Sequence, residues 1–263
     1  MFRLWLSRRW FVATLVAILF ALACFFLGRW QWSRHLEQRT KVAAIESNYD
    51  AAPVPLAAAL EGPLTPARQW TRVRLTGTYA AQADLLARNR PLEKTLGFEV
   101  LTPFTTEEAA TRTVLVDRGW IQSGGSAAAT PDVQDPPEGT VEVTGWLRSG
   151  EVSLGRDLPP GQLGSINIVD ARAQRPELAD VDVYVVLGQQ VPSSPATATT
   201  PRLLPRPDEG LGPHQAYAIQ WWLTMPGGLV FVWWAMRREL TLAQEAGTPS
   251  RPKKVRIWDE EDA

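Results

Sequence analysis

The chain has 263 residues and a net charge of −1, so no overall field recruits nucleic acid, and it lacks the basic-aromatic stripe that binds it. One cysteine, Cys24, excludes an intrachain disulfide and any Cys-cluster zinc or iron–sulfur site. With only two histidines, His35 and His214, a triad or multi-histidine centre would have to use a residue beside an apolar run.

Residues 1–9 carry Arg3, Arg8 and Arg9, and Phe11 to Leu27 is continuously apolar. A cleaved signal peptide has the same order, but the apolar run continues through Phe25-Phe26-Leu27 beyond the only A-x-A-like site, Ala21-Leu22-Ala23. Cys24 follows a poor lipidation signal, and Ser7-Arg8-Arg9-Trp10-Phe11 resembles a twin-arginine signal only faintly. The favoured reading is an uncleaved transmembrane helix over 10–30, with Trp10 at one end and Trp30 and Trp32 at the other. Residues 31–67 form a juxtamembrane helix and connection. Ser33 to Tyr49 has no helix breaker and continues the first helix, and Ala51 to Pro66 is rich in alanine and proline.

From Gln69 the period changes to two, with Val73 and Leu75 alternating against Arg72, Arg74 and Thr76. Further strands are predicted at Asp84–Asn89, Gly97–Phe104, Thr113–Ile121, Thr140–Leu147, Ser165–Val169 and Val181–Leu187. Turns are predicted at Arg90-Pro91, Ser123-Gly124-Gly125 and Pro136-Pro137-Glu138-Gly139, and a short helix near Asp170–Ala179. Residues 68–190 therefore read as a mainly antiparallel β domain, barrel- or sandwich-like.

Residues 191–213 are a Pro-rich tether. A second transmembrane helix is predicted over 214–236, uncharged from Ala216 to Met236, with Trp221 and Trp222 near one end and Trp233, Trp234 and then Arg237-Arg238 at the other. About 20 apolar residues cross a bilayer core of roughly 30 Å. Pro226-Gly227-Gly228 inside this run reads either as a packing face for the first span or a partner, or as a tolerated kink. Residues 237–263 read as a disordered tail. The whole is a membrane protein of the α+β class, two transmembrane helices flanking an extracytoplasmic β domain. Both flanks of the first span are basic, but long intervening segments translocate largely regardless of charge, so both termini are placed in the cytoplasm.

The chain has no Gly-rich phosphate loop, no H-E-x-x-H and no G-x-S-x-G, and so does not read as an enzyme. Asp117-Arg118 and Glu93-Lys94 are charged neighbours, but adjacent strand residues face opposite ways and do not pair. An antiparallel helical hairpin would put His35 and His214 at the outer membrane surface near Trp30, Trp32, Trp221 and Trp222. Neutral imidazole can ligate haem iron, and an apolar, tryptophan-rich interface suits a porphyrin. Interfacial histidines and tryptophans also serve as anchors that bind nothing.

Several separated motifs resemble the surfeit locus protein 1 family, the assembly factors of cytochrome c oxidase. Leu27-Gly28-Arg29-Trp30-Gln31-Trp32-Ser33-Arg34 resembles the family's sequence leaving its first span. Asn89-Arg90-Pro91 with Gly97-Phe98-Glu99-Val100-Leu101-Thr102-Pro103-Phe104 is similar to its R-P…G-x-x-V-x-T-P segment. Val114-Leu115-Val116-Asp117-Arg118-Gly119-Trp120-Ile121 matches V-x-V-x-R-G-W, and His214-Gln215-Ala216-Tyr217-Ala218-Ile219-Gln220-Trp221 matches H-x-x-Y-A-x-Q-W. The departures lie around Leu158 to Val169, where many relatives have a tryptophan and an Arg-Asp pair and this chain has Gly164-Ser165-Ile166-Asn167-Ile168-Val169-Asp170.

The resemblance implies a non-enzymatic factor in a bacterial plasma membrane, assisting haem a insertion into the catalytic subunit of a haem–copper oxidase and in contact with that subunit or the respiratory supercomplex. It implies a transient haem a site with His214 as ligand, shaped by Tyr217, Gln220 and Trp221 and helped by Trp30 and Arg34 from the facing helix. The alternative is a haem-independent membrane scaffold that stabilises an oxidase subunit or supercomplex.

Overall fold

The longest element, α1 (Arg8–Asn48), is the helix expected from the absence of any breaker between Phe11 and Asn48. It belongs to a computed structural model that describes residues 7–108, 111–124, 130–179, 181–194, 197 and 199–246. The chain divides into two compact units, one from Met1–Glu37 and Leu211–Ala263 and the other from Gln38–Gly210.

In the first unit, α1 exposes Phe11, Val12, Leu15, Val16, Leu19, Leu22 and Phe26, and buries a stripe of Trp10, Ala17, Cys24, Gly28 and His35. Steps of seven and four are the 3.5-residue period of a helix packed on another helix. The packed elements are α4 (His214–Thr224) and α5 (Gly227–Ala246). Small residues on the stripe allow close approach. A Cβ built on Gly228 would lie 3.5 Å from Ala17 Cβ, and one on Gly28 would lie 2.3 Å from Trp222 Nε1. Arg9 and Glu239 meet at 3.7 Å at one end, and Gln31 and His214 at the other. The helices therefore run antiparallel; of Pro226-Gly227-Gly228 only Gly228 packs on α1, while Pro226 and Gly227 are exposed.

The single helix expected over 214–236 is corrected. Among the described residues only α1 is long and apolar enough to cross a membrane as one helix. The C-terminal run is broken at Met225-Pro226, because Pro226 has no N–H for the carbonyl of Trp222 and its ring crowds that carbonyl. Helical bonds resume on either side, Met225 N to Trp221 O at 3.0 Å and Val230 N to Pro226 O at 2.9 Å. The helix also continues past Met236 to Ala246, where a disordered tail was expected; residues 247–263 lie outside the described ones. Arg237 and Arg238 stack over Trp233 and Trp234, each four residues earlier, as interfacial anchors do.

In the second unit the last turns of α1 dock on the β domain. Tyr49 stacks on Trp146 at 4.1 Å, and Asn48 Nδ2 donates to the carbonyls of Ala67 and Gln69. The strands are β1 (Val54–Pro55), β2 (Thr71–Tyr79), β3 (Leu85–Leu92), β4 (Thr95–Thr106), β5 (Thr113–Gln122), β6 (Val141–Ser149), β7 (Gln162–Leu163) and β8 (Val183–Val191). A one-turn helix, α2 (Leu56–Ala59), follows β1. The pairings β2–β6–β8–β5–β4 return to β2, so these five strands close a ring, with β1 and β3–β7 as extensions. The sheet is mixed, because β5–β8, β1–β2 and β3–β7 are parallel. Closure removes free edges.

The two buried faces of β5 and β8 explain their continuous apolar runs. Val114, Val116, Val183, Val185 and Leu187 join Val73, Leu75, Phe104, Val141, Val143 and Leu147 in one core. Leu115, Tyr184 and Val186 face the other way, onto Leu85, Leu101, Ile166, Ile168 and Ala171. Each such side chain contributes about 1.5–3 kcal/mol on burial.

Two local expectations fail for stated reasons. Ser165–Val169 is not a strand, because Asn167 caps α3 (Ile168–Gln174), its side-chain oxygen accepting from Asp170 N at 2.9 Å. That helix stops at Arg175, whose successor Pro176 disfavours helical geometry there (φ −135°). Arg90-Pro91 is not a turn but part of β3, which bulges between Ala87 and Arg90. The turn falls at Glu93-Lys94, both at positive φ, as a two-residue hairpin requires.

Candidate functional site

His214 opens α4, directly after Gly212-Pro213. Its Nδ1 lies 2.9 Å from Oε1 of Gln31 on α1. One helical turn either side of Gln31 lie Gly28 and His35, both buried. Trp32 sits 5.5 Å from the His35 ring and 5.8 Å from the Trp222 ring. His35 is only 4 % exposed, and neither its Nδ1 nor Trp222 Nε1 has a hydrogen-bond partner among the described residues. The result is an apolar, aromatic junction between two helices that holds two imidazoles.

The sequence-expected residues divide between this junction and the outer helix faces. Trp221 is half-buried, and its carbonyl accepts the backbone N–H of Met225. Tyr217 and Gln220 are exposed. Trp30 is 52 % exposed, and Arg34 bonds Glu37 on its own helix at 3.0 Å. Trp30 and Arg34 thus lie on a different face of α1 from the one that meets His214. The residues that do meet α4 are Gly28, Gln31 and Trp32, with Trp222 rather than Trp221 on the partner. The signal that finds Gly28 and Gln31 is the 3.5 period itself: Cys24, Gly28, Gln31 and His35 share a face, whereas Trp32, one step on, lies at the edge of that face.

The β domain holds a second concentration of charge. Arg90 bonds Glu99 at 2.8 Å and Glu151 at 2.7 Å. Asp117 is 1 % exposed; Oδ1 accepts from Gly119 N, while Oδ2 has no partner among the described residues. Burial, reinforced by the charge of Glu99, pushes the Asp117 carboxyl well above the usual range. Burial also raises Glu99, with Arg90 opposing it. Arg118 is the extra residue of a bulge on β5 and turns instead to Asp84 at 3.6 Å and the Gln134 carbonyl at 2.7 Å. Asp117 and Arg118 accordingly serve separate groups. Among the described residues no three His, Cys, Asp or Glu side chains gather as a metal site.

The family model for SURF1 matches residues 18–225, which takes in α1 from within its apolar run, the whole β ring and α4. SURF1-like proteins of Mycobacterium tuberculosis and Mycobacterium bovis are each 31 % identical over 262 residues, covering 94 % of this chain and 92 % of theirs. The cytochrome oxidase assembly protein SHY1 of Saccharomyces cerevisiae is 31 % identical over 98 residues, 37 % of this chain and 25 % of that one. With the match running across both helical and β units, the chain belongs to the SURF1 family.

Proposed function

We propose that this protein is a non-enzymatic assembly factor of a haem–copper cytochrome c oxidase, and that it assists haem a insertion into the catalytic subunit. Membership of the SURF1 family and similarity to a yeast protein named for cytochrome oxidase assembly support the assembly role. The observation that carries the haem reading is the His214–Gln31 contact, which brings an imidazole to a tryptophan-lined junction of two apolar helices. Haem a is cargo here, held by His214 and released to the oxidase. Trp32 and Trp222 pack the helix junction behind the imidazole, and Tyr217, Gln220, Trp221, Trp30 and Arg34 would form the outer rim that a porphyrin edge and its carboxylates touch.

Both apolar runs, α1 and the broken α4–α5 pair, are taken to span the bacterial plasma membrane, with the β domain outside and both termini in the cytoplasm. The distance supports this. From Arg9 to Gln31, the two ends of the hairpin contacts, α1 rises roughly 33 Å, close to the thickness of a bilayer core. The break at Pro226 is of the kind that neighbouring helices accommodate in membranes.

The test is deletion of the gene followed by reduced-minus-oxidised spectra of membranes, with b- and c-type haems as internal controls. Selective loss of the a-type signal is expected, with restoration by the wild-type gene and not by His214→Ala. An unchanged a-type signal in a strain without a second copy would overturn the assembly role. Full restoration by His214→Ala would leave the assembly role and favour a haem-independent scaffold.

A further inference from the structure

We infer that Gln31 is a positioning residue that fixes His214 in the tautomer carrying its proton on Nδ1, so that Nε2 is the nitrogen presented to a metal. This rests on the haem reading above. Two independent features of the chain point to it. Gln31 Oε1 stands 2.9 Å from Nδ1, a distance at which a side-chain carbonyl accepts the ring N–H. On the opposite edge of the ring lies Gly212, at φ +64°; a Cβ built there would sit 3.5 Å from Nε2 and 3.3 Å from Cδ2. One ring nitrogen is therefore occupied by a facing helix. The other borders a residue that brings no side chain to cover it.

This arrangement is what a neutral imidazole ligand needs. In free imidazole side chains the proton favours Nε2, which would leave the wrong nitrogen for an outward-facing ligand. An acceptor at Nδ1 reverses that preference, fixes the ring plane and makes Nε2 more basic. Gln31 can do this only because α1 places it on the same face as Gly28, where Trp222 packs. The contact thus couples helix packing to ligand orientation: whatever separates the helices at this point also frees the ring. A carboxamide acceptor, unlike a carboxylate, adds no charge, so the strengthening of the ligand is modest. That suits a site that must give its haem away.

The experiment uses the full chain in detergent or nanodiscs and has two arms. With only two histidines, ¹⁵N-histidine labelling gives few signals, and comparison with His214→Ala assigns His214. At about pH 8.5, where an unperturbed imidazole is neutral, the proton on His214 is expected on Nδ1, and in Gln31→Leu on Nε2. In the second arm haem a is titrated into each variant and followed by absorption, EPR and reduction potential. Gln31→Leu is expected to weaken binding by about 10–100-fold and to raise the potential. Gln31→Glu is expected to restore affinity and lower the potential below wild type, a reversal that loss of packing alone would not give.

A proton on Nε2 in the wild-type chain, or a Gln31→Leu variant with unchanged tautomer and ligand spectrum, overturns the role of Gln31 and leaves haem binding by His214 standing. An unchanged ligand spectrum in His214→Ala overturns the haem reading itself, and the ligand role of Nε2 with it.

Discussion

Trp222 lies directly over Gly28: its indole Nε1 occupies the space where any side chain at position 28 would begin, 2.3 Å from the ideal Cβ. The contact is made by the edge of a large rigid ring, so even a methyl group must displace Trp222 or part the helices. Gly28→Ala is expected to lower stability by about 1–3 kcal/mol. Trp222→Ala should relieve most of that penalty when the two are combined. A thermal melt of the full chain in detergent, run as a double-mutant cycle, checks this. Additive losses would mean that the ring does not rest on Gly28.

The same hairpin can be locked. A Cβ at Gly228 would be 3.5 Å from the Cβ of Ala17, at the short end of the range seen across disulfides. In a Cys24→Ala background, the pair Ala17→Cys and Gly228→Cys should oxidise readily to an internal crosslink, visible as a gel shift reversed by reductant. A control pair, Ala17→Cys with Leu223→Cys, five residues from the partner position on the same run and exposed, should not. Equal crosslinking of both pairs would contradict the register.

Acid should favour the β domain down to mildly acidic pH. Burial holds the Asp117 and Glu99 carboxyls above their ordinary range, so the folded chain keeps protons that the unfolded chain has released. The stability these groups contribute is complete below their unfolded pKa, about 4, and falls as pH rises through the folded values. Urea unfolding of the full chain across this range should show stability declining with pH, and Asp117→Asn should flatten the decline. A variant with the wild-type slope would show that Asp117 is not among the groups responsible.

Arg90 links β3 to Glu99 on β4 and to Glu151 beyond β6. Replacing it by methionine keeps much of the stem and leaves two acids without their cation. The expected loss is about 2–3 kcal/mol, below the roughly 3–5 kcal/mol of a fully buried broken pair because the groups retain some solvent contact. Arg90→Lys, which cannot make both bonds in one plane, should fall between wild type and methionine. Denaturant midpoints at neutral pH provide the measurement.

Much of this architecture was legible in the residues. Alternation around Val73 and Leu75 and the runs at Asp84–Asn89, Gly97–Phe104, Thr113–Ile121, Thr140–Leu147 and Val181–Leu187 marked six strands close to their observed places. The ring closure was not legible, because β8 enters between β6 and β5 through pairings distant in the chain that no local pattern encodes. Ser165–Val169 misled because Asn167 is a cap, a role set by one side-chain hydrogen bond rather than by periodicity. At the site, the histidine and the tryptophans near it were visible as types. Which of them face one another was decided by helical phase, and a one-residue step separates Gln31, which meets His214, from Trp30, which does not lie on that face.

The insertion of β8 has a consequence for how the protein can fail. Among the described residues it is the last strand made, yet it joins β6 and β5, antiparallel to the first and parallel to the second. A chain that stops before Val183 would not be a smaller barrel. It would present β5 and β6 as two open, hydrogen-bond-hungry borders flanking an exposed Val- and Leu-rich seam, a template for sticking to other copies. On the ribosome, too, the domain must wait for about 190 residues of synthesis before its wall can shut. Until then the nascent chain depends on something else to keep those borders covered.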